Sequence, residues 1–256
     1  MAVYKETHGD SSRPSLVLLH GWGMDSRIWQ GILPLLAPYF SVTTIDLPGL
    51  GRSDSLPSHT LSAVAKTVAA EVERPSIWLG WSLGGMVASQ VAVDYPEQVL
   101  GLVTVASNPC FVQREGWKCA MPEETYQQFK ELVMAHPKKA LARFNLLQVQ
   151  GSHNSKVLLN TLKSLTDGVK SSALVDMLIL LESDYRELVS RVEKPVLHLL
   201  GSADALVPAS LAEGLEGLVP EQDVQMVSAS GHLPFLAFPQ AFVGSLAIFT
   251  RTLPKS

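Results

Sequence analysis

The sequence predicts an α/β protein with a mostly parallel, doubly wound sheet and an inserted helical cap. Three observations predict it. Short apolar runs alternate with helix-length periodic runs through both ends of the chain, as strand–helix–strand units require. That alternation stops after Ala106-Ser107 and resumes at Pro195, with helical periodicity in between. The turn Gly80-Trp81-Ser82-Leu83-Gly84-Gly85 lies between an apolar run and a helical one.

In chain order, Val3 to Thr7 suggests a short edge strand. Leu16 to Leu19, Val42 to Ile45, Ile77 to Leu79, Leu100 to Val105, Val196 to Leu200 and Val224 to Val227 read as strands, each a short apolar run. Leu61 to Val72, Leu83 to Asp94, Ala209 to Leu218 and Gln240 to Thr252 read as helices. Residues 1–110 and 191–256 are then the sheet-bearing core, and 111–190 the cap. At 256 residues, 46% hydrophobic and 17% charged, the chain is long and apolar enough for one large core.

The same composition excludes several function classes. No apolar stretch reaches membrane-spanning length, and Met1-Ala2-Val3-Tyr4-Lys5-Glu6 lacks the apolar centre of a signal peptide, so a cytoplasmic protein with no membrane partner is expected. Cys110 and Cys119 are the only cysteines, too few for a disulfide framework. No metal-ligand spacing occurs, and Gly49-Leu50-Gly51 lacks the third glycine of a dinucleotide loop, so neither metal nor cofactor is expected. Asp46-Leu47-Pro48-Gly49-Leu50-Gly51-Arg52-Ser53-Asp54 reads as a structural turn after a strand. A net charge of −4 and the absence of a recognised binding fold argue against a nucleic-acid partner.

Ser82 is the candidate nucleophile. A serine at the centre of G-x-S-x-G, between strand and helix, sits on a strained elbow whose flanking glycines leave room for the turn. A hydroxyl is a weak nucleophile at neutral pH, so the elbow requires a histidine base and an acid that orients it, following in the order serine, acid, histidine. Asp204, on the loop after Val196 to Leu200, and His232, on the loop after Val224 to Val227, satisfy that order. His8, His59, His136 and His153 lie in polar or turn-like stretches, and His198 lies within a strand. His20 opens His20-Gly21-Trp22-Gly23 directly after a strand, where the backbone can donate to a substrate oxygen; the expected donors are the amides of Trp22 and Leu83, with His20 structural.

Ligands of open α/β sheets bind beyond the carboxyl ends of the strands, so the cap should roof Ser82, Asp204 and His232. Phe111, Met121, Phe129, Phe144, Leu146, Leu147 and Val149 are candidates for an apolar pocket, and equally for packing within the cap. Residues 130–170 hold seven basic side chains against two acidic ones, a balance of +5 that leaves −9 for the rest of the chain. Lys139 and Arg143, four apart, fall on one helical face, as do Lys156 and Lys163, seven apart. Such a face attracts an anionic partner, or is simply solvated surface.

Five blocks carry a family resemblance: Leu16 to Gly23, Asp46 to Ser53, Ile77 to Gly85, Leu102 to Phe111 and Arg143 to Gln148. The first two are common among α/β-hydrolases; the tryptophan before the nucleophile, Pro109-Cys110-Phe111 and Arg143-Phe144 are more specific. Together they resemble the pimeloyl-acyl carrier protein methyl ester esterases of biotin synthesis. The resemblance runs from Leu16 to the carboxyl terminus and implies the α/β-hydrolase fold and hydrolysis of a methyl ester on a carrier-bound pimeloyl chain, through an acyl-enzyme. It implies Ser82, Asp204 and His232 as triad. Trp22, Leu83, Phe144, Asn145, Leu146, Leu147 and Gln148, with His232, become the oxyanion and substrate contacts. Lys139, Arg143 and Lys156 become the contacts of the acyl carrier protein, with neutral Asn160 one turn beyond Lys156 and Lys163 nearby. A monomer is expected. A short-chain carboxylesterase, a carbon–carbon bond hydrolase and a non-catalytic binding protein remain open on the same scaffold.

Overall fold

The computed structural model describes residues 2–216, 218 and 222–254. Seven strands form one sheet: β1 (Lys5–His8), β2 (Ser15–Leu19), β3 (Ser41–Ile45), β4 (Ser76–Trp81), β5 (Val99–Val105), β6 (Val196–Gly201) and β7 (Gln222–Val227). Their order is β1-β3-β2-β4-β5-β6-β7. β1 pairs antiparallel with β3, Lys5 opposite Ile45, and every other pairing is parallel. The expected strands are all present, each within two residues of its expected ends.

The helices are α1 (Leu33–Leu36), α2 (Leu61–Ala69), α3 (Leu83–Asp94), α4 (Glu123–Ala135), α5 (Pro137–Val149), α6 (Ser155–Thr166), α7 (Ser171–Asp176), α8 (Leu178–Glu182), α9 (Arg186–Val189), α10 (Leu211–Leu215), α11 (Pro234–Ala237) and α12 (Pro239–Thr252). Thr60 caps α2 by accepting from the N–H of Ala63. Proline opens α5 and α12, where a missing N–H costs nothing. α10 is shorter than the expected Ala209 to Leu218, and Gly217 of that range lies outside the described residues.

Strand alternation divides the core in two. Val17 and Leu19 of β2 face a cluster with α2, α3 and the cap helices α4, α5, α7 and α8. Leu16 and Leu18 face the other side, with α1, α12 and Leu158, Leu162 and Leu165 of α6. Every residue of β2 is buried, as a central parallel strand covered on both faces must be. The cap therefore joins both apolar layers. Arg27 adds a polar tie, its guanidinium bonded to the Asp25 carboxylate and, at 2.8 Å, to the Leu165 carbonyl of α6.

Candidate active site

The site grows from the ends of β2, β4, β6 and β7. Ser82, between β4 and α3, has φ 54° and ψ −119°, a conformation that non-glycine residues avoid and that aims its side chain out of the turn. Bonds to the end of β5, the segment after it and the first turn of α3 hold this strain in place. The Ser82 N–H donates to Val105 at 2.8 Å, and its carbonyl accepts from Ser107 Oγ at 2.7 Å and from Gly85 N–H at 2.9 Å. Gly84 must be glycine, since a Cβ there would strike the backbone carbonyl of Leu19. That close approach brings the end of β2 against the turn at Ser82.

Asp204 follows β6 and His232 follows β7. One Asp204 oxygen accepts His232 Nδ1 at 2.7 Å; the other accepts the N–H groups of Leu206 at 2.8 Å and Val207 at 3.0 Å. Both side chains are fully buried. Nδ1 therefore carries the proton toward the carboxylate, and Nε2 is left as the basic nitrogen. Nε2 is buried without a hydrogen-bond partner, so it is not bonded to the Ser82 hydroxyl in this arrangement. Trp81, directly before the nucleophile, donates its indole N–H to the His232 carbonyl at 2.8 Å.

Among the described residues, no hydrogen bond within the protein uses the backbone N–H of Trp22 or of Leu83. Leu83 opens α3, so its N–H is one of the helix's unpaired amino-terminal donors. The Trp22 indole is fixed elsewhere, donating to Leu174 of α7 at 3.0 Å. His20 is structural: Nε2 accepts from Leu47 N–H and Nδ1 donates to Gly21, while burial holds its pKa below the ordinary value. His198 bonds Thr104 within the sheet, its pKa pushed down by burial to about 4. The Asp46 turn is structural too, its buried carboxylate accepting from Ser26 N–H and from Arg52.

The cap supplies the roof. Phe144 lies 5.2 Å from Trp22 and 6.5 Å from His232, ring centre to ring centre, and stacks with Phe129 at 5.5 Å. Met121, Phe129, Phe144, Leu147 and Leu206 line a cleft of about 30 Å³ closed by Arg143, Thr125 and Gln128. Ser82 is buried, 6% exposed. Asn145 and Gln148 are buried but bond inward: Asn145 donates to Thr166 of α6 and accepts from Gln148. Leu146 departs from the expected pocket. It is 53% exposed, because a residue two places along a helix from Phe144 points to the opposite side. Lys139 and Arg143 share that outer face of α5 with it, and Lys156 is exposed on α6.

Residues 16–245 match the model of the alpha/beta hydrolase family. The chain belongs to that family. This hydrolase is similar, at 37% identity over 97% of its length and 98% of the relative's, to a pimeloyl-acyl-carrier protein methyl ester esterase of Pectobacterium carotovorum subsp. carotovorum. A solved esterase from Exiguobacterium antarcticum superposes with a TM-score of 0.89 at 20% identity, covering 98% of this chain and 96% of its own. A bromoperoxidase from Bacillus anthracis gives 0.86 at 20% identity, with 97% and 95% coverage, so likeness of shape alone fixes the hydrolase fold and no more. Among the described residues no cluster of His, Cys, Asp and Glu could hold a metal, and no helix is long and apolar enough to cross a membrane.

Sequence reasoning gave no role to Trp81, Ser107 or Leu206. Trp81 was visible within the elbow motif; Ser107 and Leu206 reach the site only through strand pairing and loop folding.

Proposed function

We propose that this hydrolase cleaves the methyl ester of a pimeloyl chain carried on acyl carrier protein, the step of biotin synthesis that the resemblance implies. The observation that carries the proposal is 37% identity along nearly the whole chain to an esterase of that name. The site has the groups the reaction needs.

In this reading His232 Nε2 takes the proton of Ser82 as Oγ attacks the ester carbonyl, and Asp204 stabilises the imidazolium. The tetrahedral oxyanion lies between the N–H groups of Trp22 and Leu83, donors with no partner among the described residues. The carbon–oxygen bond to the methoxy group breaks, His232 returns the proton, and methanol leaves an acyl-enzyme. A water activated by His232 then releases the carboxylate and restores Ser82. Phe144 and Leu147 contact the acyl chain, while Asn145, itself bonded by Gln148 within α5, ties α5 to Thr166 of α6. Lys139, Arg143 and Lys156 meet the acidic carrier outside, with Lys163 extending the charge past Asn160. The exposed Leu146 belongs to that outer face rather than to the pocket.

Incubation with methyl pimeloyl-acyl carrier protein tests this directly. Demethylated carrier-bound product is expected. Cleavage of p-nitrophenyl esters with no action on the carrier substrate would make the enzyme a general carboxylesterase.

A further inference from the structure

The corner joining α5 to α6 is part of the cap, yet its backbone is bonded to the loop that carries His232. The last carbonyls of a helix need partners from outside it. Those of Leu146 and Leu147 accept from Gln150 N–H and that of Val149 from Ser152 N–H, while that of Gln148 accepts from the N–H of His232 at 3.0 Å. One residue earlier, the N–H of Gly231 donates to Ser152 Oγ at 2.9 Å. His153 N–H reaches the Ala229 carbonyl at 3.3 Å.

The same corner abuts the loop of the acid. Gly151, at φ +80°, lies so close to Ala203, the neighbour of Asp204, that a Cβ would strike the Ala203 carbonyl. A Cβ on Gly231 would stand 2.6 Å from the Gln150 carbonyl and 2.9 Å from Ser152 Oγ. The corner thus fits between the Asp204 and His232 loops without space for a side chain. The Trp81 indole holds the His232 carbonyl.

We propose that Ser152 is a positioning residue for the general base, fixing the Ser230–Gly231 peptide that leads into His232 so that the imidazole is aimed between Asp204 and Ser82. The inference rests on the triad reading above. Ser152 holds the Ser230–Gly231 peptide, Gln148 the Gly231–His232 peptide and Trp81 the His232–Leu233 peptide, so the backbone on both sides of the imidazole is fixed and the ring is oriented before the reaction begins. Removing the Ser152 hydroxyl leaves the buried Gly231 N–H unpaired and frees the Ser230–Gly231 peptide to turn. Displacement of the base slows the chemical step and leaves ground-state binding alone.

Kinetics on a p-nitrophenyl ester test this. Ser152→Ala is expected to lower kcat about tenfold with KM unchanged, and Ser152→Thr, which keeps the hydroxyl, to recover most of the loss. In a His232→Ala background, Ser152→Ala should leave the residual rate unchanged, because a residue acting only through His232 has nothing left to act on. Wild-type kcat in Ser152→Ala overturns the proposal; so does a tenfold loss that persists without His232, which would mark general damage to the fold. Should Ser152→Ala fail to fold, Ser152→Cys takes its place in the same cycle. An active Ser82→Ala enzyme would instead overturn the triad reading, and inactive Ser82→Ala beside fully active Ser152→Ala would remove the positioning role alone.

Discussion

Ser82 occupies a backbone conformation that costs on the order of 1–3 kcal/mol and persists because Val105, Ser107 and Gly85 bond its peptide groups. Ser82→Ala is expected to cut ester hydrolysis by about 10⁴-fold or more, with residual turnover from the oxyanion donors, and to leave the circular dichroism spectrum unchanged. Asp204→Asn keeps the shape but cannot hold His232 in the same tautomer; turnover should drop by roughly 10⁴-fold with little change in KM. A rate near wild type in either variant would remove that residue from the mechanism. Phe144 stands between Trp22 and His232, so Phe144→Ala should weaken kcat/KM for long acyl esters by about 1–3 kcal/mol and for acetate esters much less. Equal losses across chain lengths would make Phe144 a support of the cap only.

At the scale of an element, α5 has two faces with separate tasks. Phe144, Asn145 and Gln148 are buried toward the site and α6; Lys139, Arg143 and Leu146 are exposed on the outside. Lys139→Glu combined with Arg143→Glu should raise KM for carrier-linked substrate and leave a small methyl ester untouched, because only the carrier reaches the outer face. Salt should act in the same direction, since rim charges are screened over a Debye length of about 8 Å at physiological ionic strength. Steady-state kinetics on both substrates across a salt series checks this; parallel responses would reduce the basic face to ordinary solvated surface. The periodicity of α5 was legible in the sequence, and so was its charge. Which apolar residue faces in was not, because Leu146 and Leu147 are adjacent and only the packed helix sets their phase.

Across the whole molecule, pH couples to the sheet through His198. Burial lowers its pKa from 6.5 to about 4, so the folded state resists protonation where the unfolded chain accepts it. Its contribution to stability is complete above pH about 6.5 and is lost as pH falls toward about 4, on the order of 3 kcal/mol over that window. Thermal denaturation should show Tm falling through this range, and His198→Gln should flatten the fall. An unchanged slope in the variant would locate the acid sensitivity elsewhere, His20 being the other buried imidazole with a lowered pKa.

The sequence by itself determined the strand–helix alternation, the strand–turn–helix at Ser82 and the order serine, aspartate, histidine, because each is written in local periodicity or in spacing along the chain. Even the edge strand at Lys5–His8 lies within two residues of its expected ends. Only the tertiary structure decided that the Asp204 carboxylate meets His232 at 2.7 Å, that the Ser152 corner and Trp81 bond the backbone before and after the His232 side chain, and that Leu146 leaves the pocket. Those contacts join residues far apart in sequence, and no local propensity encodes them; they exist because parallel strand pairing and two apolar layers bring the loops to one end of the sheet and press the cap against them.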